Sequence, residues 1–280
     1  MTVLKQLPAQ VLTAFKCSGG AFVAETDRAV IWKVKQQSGK PAALKIYHGK
    51  GMGNEARGFD FLTACNCVAA AYVIEKQGNA ALVEWLDGPS LGDMVRGGDD
   101  RNASVILADV AHQIYGIGVV SGTSWPSVAD WLNSLFALQF DPTCPQGVRQ
   151  NFGIAQVWAK ELLANQNELT PLHGDLHHDN VRLGARGYCA FDAKGVIGEK
   201  CYELANSFRN PVGADALVRD PARINGHADI VSERLGVDRG RLLKWAAVKC
   251  ALSISWRAAG PLCQDVEFDL LELLIGAAKG

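Results

Sequence analysis

Residues 172–182 read Leu172-His173-Gly174-Asp175-Leu176-His177-His178-Asp179-Asn180-Val181-Arg182, with apolar residues on either side of a core of histidines, aspartates and an asparagine. A second short stretch follows, Tyr188-Cys189-Ala190-Phe191-Asp192-Ala193-Lys194-Gly195. Its apolar residues predict a brief strand that ends on a carboxylate. The two stretches therefore supply Asp175, Asn180 five residues later, and Asp192 at the end of a strand.

This spacing of carboxylate, amide and carboxylate is the one that kinases use. The first aspartate receives a hydroxyl proton, and the asparagine and second aspartate hold Mg²⁺ against the phosphates of ATP. Two other interpretations stay open. Asp, Asn, Gly and His are ordinary turn formers, and clusters of His and Asp also bind zinc or iron in metal-dependent hydrolases. The histidines at 173, 177 and 178 form no His-x-His or His-Glu-x-x-His pattern.

Composition limits the classes of protein that the chain can belong to. It has 280 residues, of which 48% are hydrophobic, so we expect a globular fold with a sizeable core. The formal net charge of −1 gives no basic footprint for nucleic acid. No apolar run approaches the roughly 18 residues that a membrane span needs, and no signal peptide is recognisable. We expect a cytoplasmic protein whose eight cysteines stay reduced.

The first half of the chain predicts a small antiparallel sheet. Strand-like runs at 21–24, 30–34 and 42–47 are separated by turns. Lys45 lies in the third run, and Glu55 opens a helical pattern over 54–62. In a kinase, a strand lysine binds ATP phosphates and a helix glutamate orients it. A lysine on the outer face of a strand and a glutamate in a first helical turn are also routine.

A change of pattern after residue 86 predicts a boundary between two lobes. Strands are expected at 68–73 and 80–85, and the Leu86-Asp87-Gly88-Pro89-Ser90 turn ends them. We therefore expect a nucleotide-binding lobe over 1–86 and a catalytic, acceptor-binding lobe over 87–280. In a kinase this junction is the hinge that holds adenine, so Glu84 and Leu86 become cofactor-binding candidates. Beyond it, helical patterns are expected at 103–117, 125–140, 151–166, 200–209, 221–235, 239–258 and 265–278.

The run from Leu172 to Asn180, with Phe191-Asp192-Ala193-Lys194-Gly195 and Tyr202-Glu203-Leu204-Ala205, resembles the aminoglycoside phosphotransferase family. The similarity is greatest to its streptomycin 6-phosphotransferase and hydroxyurea-type branch. Other matching segments, which extend the resemblance over nearly the whole chain, are 30–34, 220–224 and 241–256. Ala193 stands where this branch usually has proline, and no glycine triplet marks the nucleotide loop.

The resemblance implies a two-lobed, protein-kinase-like α+β fold and a role for each matching residue. Asp175 would be the catalytic aspartate, and Asn180 and Asp192 the Mg²⁺ ligands. Lys45 would bind the ATP phosphates with Glu55 as its partner. His173 would bond the backbone near Asp192, and Glu203 would anchor the catalytic loop from the helix that follows.

The function implied is transfer of the γ-phosphoryl group of ATP, with Mg²⁺, to a hydroxyl of a small molecule such as an aminoglycoside. A nucleotide-binding pseudokinase is disfavoured, because Lys45, Asp175, Asn180 and Asp192 are all present.

Asp265, Asp269 and Glu272 recur at helical spacing near the C-terminus. They predict either a solvated helix face or an acidic wall that attracts a cationic acceptor.

Overall fold

The computed structural model describes residues 6–66, 68–117 and 124–280, with the side chain of residue 54 left out. No helix in these ranges is both long enough and apolar enough to cross a membrane. The strands are β1 Cys17–Glu25, β2 Ala29–Gln36, β3 Pro41–Tyr47, β4 Val73–Gln77, β5 Ala80–Glu84, β6 Thr170–Leu172, β7 Val181–Gly184, β8 Gly187–Ala190 and β9 Val196–Gly198. The α-helices are α1 Ala9–Ala14, α2 Ala56–Ala64, α3 Leu91–Arg96, α4 Asp100–Ile114, α5 Val128–Phe136, α6 Gln146–Ala164, α7 Asp215–Val218, α8 Pro221–Leu235, α9 Arg239–Arg257 and α10 Phe268–Lys279.

The N-terminal lobe is a five-stranded antiparallel sheet with the strand order β1-β2-β3-β5-β4. Successive side chains of β2 point to opposite faces of the sheet, so Trp32 and Val34 are buried in the core while Lys33 between them is exposed. Leu44 of β3 and Leu82 of β5 join the same core. The predicted strands around 21–24, 30–34, 42–47 and 80–85 are therefore confirmed.

One expected strand is wrong. The chain is not a strand over 68–73, because β4 begins only at Val73. Ala69 has a positive φ of 45°, and Ala70 forms an isolated bridge to Ala190 instead. Ala70 and Ala71 are buried between the sheet and the β7–β8 hairpin, which explains why this apolar run reads like a strand. Residue 67 lies outside the described residues.

The C-terminal lobe is mainly helical and is built around α9. This helix is buried nearly all round, with Trp245, Cys250 and Leu252 fully inside the core. Sequence signals explain where helices begin and end. Pro221 occupies the first turn of α8 after the N-cap Asp220, and Gly236 ends that helix with a φ of 63°.

Two helical expectations need correction. The range 200–209 forms two short 3₁₀ segments, Lys200–Tyr202 and Ala205–Arg209, instead of one α-helix. The last helix begins at Phe268 and not at residue 265. In both places side chains bond back to nearby backbone groups: Ser207 donates to the carbonyl of Leu204 and Asp265 accepts from the N–H of Glu267, which competes with regular helix geometry.

Helix α2 packs directly on the turn that carries Asp192. At Gly58 an added Cβ would overlap the carbonyl oxygen of Ala193, so only glycine permits this approach of two backbones. Gly195 has a φ of 69°, and a Cβ added there would lie 2.5 Å from the carbonyl oxygen of Arg57. The helix that follows Glu55 is thereby fixed against the turn that follows the strand β8.

Candidate active site

The loop between β6 and β7 is held from below by a buried carboxylate. Glu203 accepts hydrogen bonds from the backbone N–H groups of His173, at 3.0 Å, and Gly174, at 3.4 Å. Glu203 is only 4% exposed, and burial raises its pKa to about 7 even though the two N–H groups act in the opposite direction. Glu203 therefore anchors the segment that carries Asp175.

Amide side chains orient Asp175. Asn206 donates from Nδ2 to Asp175 Oδ1 at 2.8 Å. Asn180 donates from its own Nδ2 to the backbone carbonyl of Asp175 at 2.9 Å. That bond fixes the Asn180 amide so that its Oδ1, which accepts no hydrogen bond in the described part of the chain, is the atom left for a ligand. Sequence reasoning missed Asn206, because its contact with Asp175 appears only in three dimensions.

His173 ties this loop to the Asp192 turn. Its Nδ1 accepts from the backbone N–H of Asp175 at 3.3 Å, so Nε2 carries the proton and donates to the carbonyl of Phe191 at 3.0 Å. The carbonyl of His173 accepts from the N–H of Lys194 at 2.8 Å. Burial lowers the pKa of His173 to about 4, so the ring stays neutral near pH 7. The expected bond to the backbone near Asp192 is present.

Four charged groups meet between the two lobes. Lys45 Nζ lies 2.7 Å from Glu55 Oε2 and 2.6 Å from Asp192 Oδ1. Lys194 Nζ lies 3.2 Å from Asp192 Oδ2 and 3.5 Å from Glu55 Oε1. The hydroxyl of Tyr47 also donates to Glu55 Oε2, at 2.7 Å. The structure thus brings together residues 45, 55 and 192, which the sequence analysis grouped, and adds a second lysine.

The two lysines keep both carboxylates ionised. Burial acts to raise the pKa of Asp192, but the ammonium groups of Lys194 and Lys45 outweigh it and hold this pKa below its usual value. The pKa of Glu55 is lowered in the same way, by Lys194 and Lys45 against the effect of burial. Lys194 has a raised pKa, because Asp192 and Glu55 outweigh the desolvation of its ammonium group. Its place two residues after Asp192 was the signal in the sequence that could have identified it.

The junction at the end of β5 carries Glu84 and Leu86, the two residues that the sequence predicts for cofactor binding. Glu84 is engaged with protein: its N–H donates to the carbonyl of Tyr72 at 2.8 Å, and its carboxylate forms an ion pair with Arg186. Leu86 is buried, with its side chain against Gly184. Within residues 6–66, 68–117 and 124–280, the backbone N–H and C=O of Leu86 bond no other backbone group. Glu84 therefore shapes the junction, and Leu86 presents hydrogen-bonding groups.

The donor atoms suit Mg²⁺ better than zinc or iron. Asn180 and Asp192 offer amide and carboxylate oxygens, which are hard ligands. Among the described residues no group of three or more His, Cys, Asp or Glu side chains is arranged to hold a metal ion. His173 and His177 instead accept backbone N–H groups through Nδ1. Among the described residues, the metal-dependent hydrolase interpretation therefore has no set of three ligands to support it.

The expected acidic face near the C-terminus does not form as a continuous surface. Asp265 precedes α10 and pairs with Arg257 at 2.7 Å, so it does not share a helical face with the later acids. Asp269 pairs with Arg219, also at 2.7 Å. Glu272 is exposed on α10. Arginines therefore balance Asp265 and Asp269 within the protein.

The chain resembles known kinases in sequence and in structure. Residues 17–260 match the family described as aminoglycoside/hydroxyurea antibiotic resistance kinase. The streptomycin 3''-kinase of Klebsiella pneumoniae is 31% identical over 226 residues, which cover 79% of this chain and 81% of that protein. The streptomycin 6-kinase of Streptomyces griseus is 25% identical over 193 residues, or 65% of this chain and 59% of that protein.

A solved structure of the aminoglycoside phosphotransferase APH(4)-Ia, a thermostable mutant in a ternary complex with ADP and hygromycin B, superposes with a TM-score of 0.64. Sequence identity is 16%, and the alignment covers 96% of this chain and 95% of that one. At this identity the likeness concerns the fold alone. It confirms the predicted two-lobed, kinase-like α+β architecture.

Proposed function

Because the chain belongs to the aminoglycoside/hydroxyurea antibiotic resistance kinase family and is a small-molecule kinase, we propose that it transfers the γ-phosphoryl group of ATP, with Mg²⁺, to a hydroxyl of an aminoglycoside such as streptomycin. The observation that carries the proposal is the position of Asp175. Asn206 orients its carboxylate, and the same loop is bonded to the turn that joins Asp192 to both lysines. We assign residues 1–86 to nucleotide binding and 87–280 to catalysis and acceptor binding, and we place the enzyme in the cytoplasm.

On the nucleotide side, the protein contributes fixed positive charge. Lys45 and Lys194 lie on either side of Asp192, where their ammonium groups can bind phosphate oxygens of ATP. Asn180 Oδ1 and the carboxylate of Asp192 would hold Mg²⁺. The ion would neutralise the negative charge that builds up on the leaving phosphate oxygens during the transfer. Leu86 would bind the edge of adenine through its backbone, while the ion pair of Glu84 with Arg186 keeps that segment in place.

On the acceptor side, Asp175 would accept a hydrogen bond from the reacting hydroxyl and take its proton late in the transfer. Such general-base assistance contributes about 10²–10⁴-fold to the rate. Asn206 and Glu203 fix the carboxylate and its backbone, so the base meets the hydroxyl with little reorganisation. Phosphoryl transfer needs little covalent chemistry from the protein, and positioning with electrostatic stabilisation supplies most of the rate.

An acceptor-dependent ATP turnover assay tests the proposal. Wild-type protein with Mg²⁺-ATP should release ADP when streptomycin is added, and the product should carry one phosphate by mass spectrometry. Asp175→Asn should bind ATP normally and lose about 10²-fold or more in kcat, because an amide cannot take the proton. Asp179→Asn is the matched control in the same loop, since Asp179 bonds Arg96 and the N–H of Val212 instead.

Three results would contradict the proposal. ADP release that is the same with and without streptomycin, hygromycin B or other aminoglycosides would exclude this acceptor class. Unchanged kcat in Asp175→Asn, with normal ATP binding, would remove Asp175 from the mechanism. A protein that binds Mg²⁺-ATP and never turns it over with any alcohol would be a pseudokinase.

A further inference from the structure

Lys249 is a buried cation on α9. Its side chain projects from α9 into the interior of the C-terminal lobe, and only 3% of the residue is exposed. In the described part of the chain no ion pair joins it to an acid. Its Nζ lies 4.4 Å from the ring centroid of Trp256 and 5.8 Å from that of Trp131. Burying an ammonium group without an anion is costly, so such groups persist mainly where function requires them.

The surroundings of Lys249 connect it to Asp175 along one face of α9. Lys249, Ser253 and Trp256 follow one another at spacings of four and three residues, which places them on the same side of the helix. Ser253 accepts from Arg209 Nη1 at 2.8 Å, and the same Nη1 donates to Asn206 Oδ1 at 2.8 Å. Since Asn206 holds Asp175, this face of α9 borders the catalytic carboxylate.

A second contact places the rings of Trp131 and Trp256 next to the loop that carries Asp175. An added Cβ on Gly174 would lie 2.9 Å from the Trp131 ring, so Trp131 packs against the residue just before Asp175. Trp131 and Trp256 meet edge to face with ring centroids 5.8 Å apart. Trp256 is 48% exposed, so part of its ring is open to a ligand. Burial lowers the pKa of Lys249 to about 8, with the charge of Asp175 opposing that effect.

We propose that Lys249, Trp131 and Trp256 form the acceptor platform, on which a hydroxylated sugar or cyclitol ring stacks against Trp256 while Lys249 donates a hydrogen bond to an oxygen substituent on the ring carbon next to the one that bears the reacting hydroxyl. This inference rests on the proposed function and adds the acceptor's chemistry. A saturated ring presents C–H groups on one face and oxygen acceptors at its edge, which matches an indole beside an ammonium group. The site therefore selects an oxygen next to the reacting hydroxyl and disfavours an ammonium there.

Another lysine on the same helix shows that stacking on tryptophan alone does not define the platform. Lys244 Nζ lies 5.6 Å from the centroid of Trp158, but its side chain is 36% exposed and its ammonium lies 4.0 Å from Glu161. That pair belongs to the outer surface. Lys244→Met is consequently the matched control for Lys249→Met, because both changes remove one stacked ammonium from α9.

The experiment measures KM and kcat for streptomycin and for ATP in purified full-length variants. Lys249→Met should raise the KM for streptomycin about 10- to 100-fold, the usual effect of losing a hydrogen bond from a charged group. Lys249→Arg should recover most of that loss, and Trp256→Leu should raise the same KM while Trp256→Phe recovers part of it. The KM for ATP should stay within about twofold in all four, and Lys244→Met should match wild type.

Streptomycin binding is followed independently by the change in tryptophan fluorescence. Wild-type fluorescence should respond to streptomycin, and Trp256→Leu should lose most of that response. If wild type phosphorylates streptomycin but Lys249→Met keeps the wild-type KM for it, the platform is wrong and the proposed function stands. Equal losses for ATP and streptomycin in Lys249→Met, with no recovery in Lys249→Arg, would show that Lys249 only supports the fold. If wild type neither binds nor phosphorylates streptomycin, hygromycin B or any other aminoglycoside tested, both proposals fall.

Discussion

Replacing Glu203 with glutamine should change how the stability of this protein depends on pH. The pKa of Glu203 is raised by burial from its ordinary value of 4.5 to about 7. Between these pH values the unfolded chain has lost the proton and the folded protein keeps it. The free energy of unfolding therefore falls as pH rises from about 4.5 to 7 and is level above that range. At about 1.36 kcal/mol per pH unit, the full cost of ionising Glu203 is about 3 kcal/mol.

Urea unfolding measured at intervals from pH 4.5 to 8 tests this prediction. Glu203→Gln has no carboxyl group to ionise, so its stability relative to wild type should rise by about 3 kcal/mol across that range. Buried histidines such as His173 titrate in both proteins, and their contribution cancels in the difference. The amide oxygen introduced by Glu203→Gln accepts the two backbone N–H groups much as the protonated carboxyl of folded Glu203 does below pH 7, and the stronger bonds of the ionised form are already contained in the pKa of about 7.

Glu272→Gln, on the exposed side of α10, is the control for removing one negative charge from the protein. Its stability relative to wild type should show no comparable slope with pH. A difference between Glu203→Gln and wild type that stays constant within about 0.5 kcal/mol from pH 4.5 to 8 would refute the reasoning, because it would mean that Glu203 is ionised at the same pH in the folded and unfolded states.

Three further predictions concern ligands. Asp192→Ala should weaken Mg²⁺-ATP binding in isothermal titration more than Asn180→Ala does, because a carboxylate carries charge that an amide lacks; equal affinity in Asp192→Ala and wild type would remove Asp192 as a metal ligand. Lys194→Met should lower kcat/KM for ATP about 10- to 100-fold in steady-state assays, with partial recovery in Lys194→Arg, since it removes one charge-assisted phosphate contact; no loss would leave Lys45 as the phosphate lysine. Asp269→Asn should leave the KM for streptomycin within about twofold, because Arg219 already neutralises Asp269; a tenfold rise would favour an acidic acceptor wall.

The parts of the fold that the sequence predicted are those set by local signals. Alternation in β2 and β3, the proline at the start of α8 and the glycine after it all act within a few residues. The error at 68–73 has a different origin. Its apolar side chains are buried by the distant β7–β8 hairpin, and the positive φ of Ala69 ends regular pairing there. A local pattern cannot distinguish that environment from a strand.

In the candidate site, too, the residues that can be predicted are those set by local sequence, and the others depend on contacts between distant residues. Asp175, Asn180 and Asp192 can be predicted from the sequence because their spacing is fixed within one loop and one hairpin. The sequence motif around Asp192 gives Lys194 no role, because its contact with Glu55 joins residues 139 positions apart. Likewise, the pairing of Asp265 with Arg257 could not be read from the charges along the sequence. Partners that meet only after folding decide which charges are free to meet a ligand.

The contact of Gly58 with Ala193 also matters for the design of inhibitors. The backbone of α2 rests on the Asp192 turn, and even one added methyl group at Gly58 would collide with the carbonyl of Ala193. A compound that occupies the nucleotide site therefore has no room to extend between this helix and this turn. Selective compounds would have to gain their affinity in the opposite direction, toward the acceptor platform that we propose, where the half-exposed ring of Trp256 offers an apolar surface.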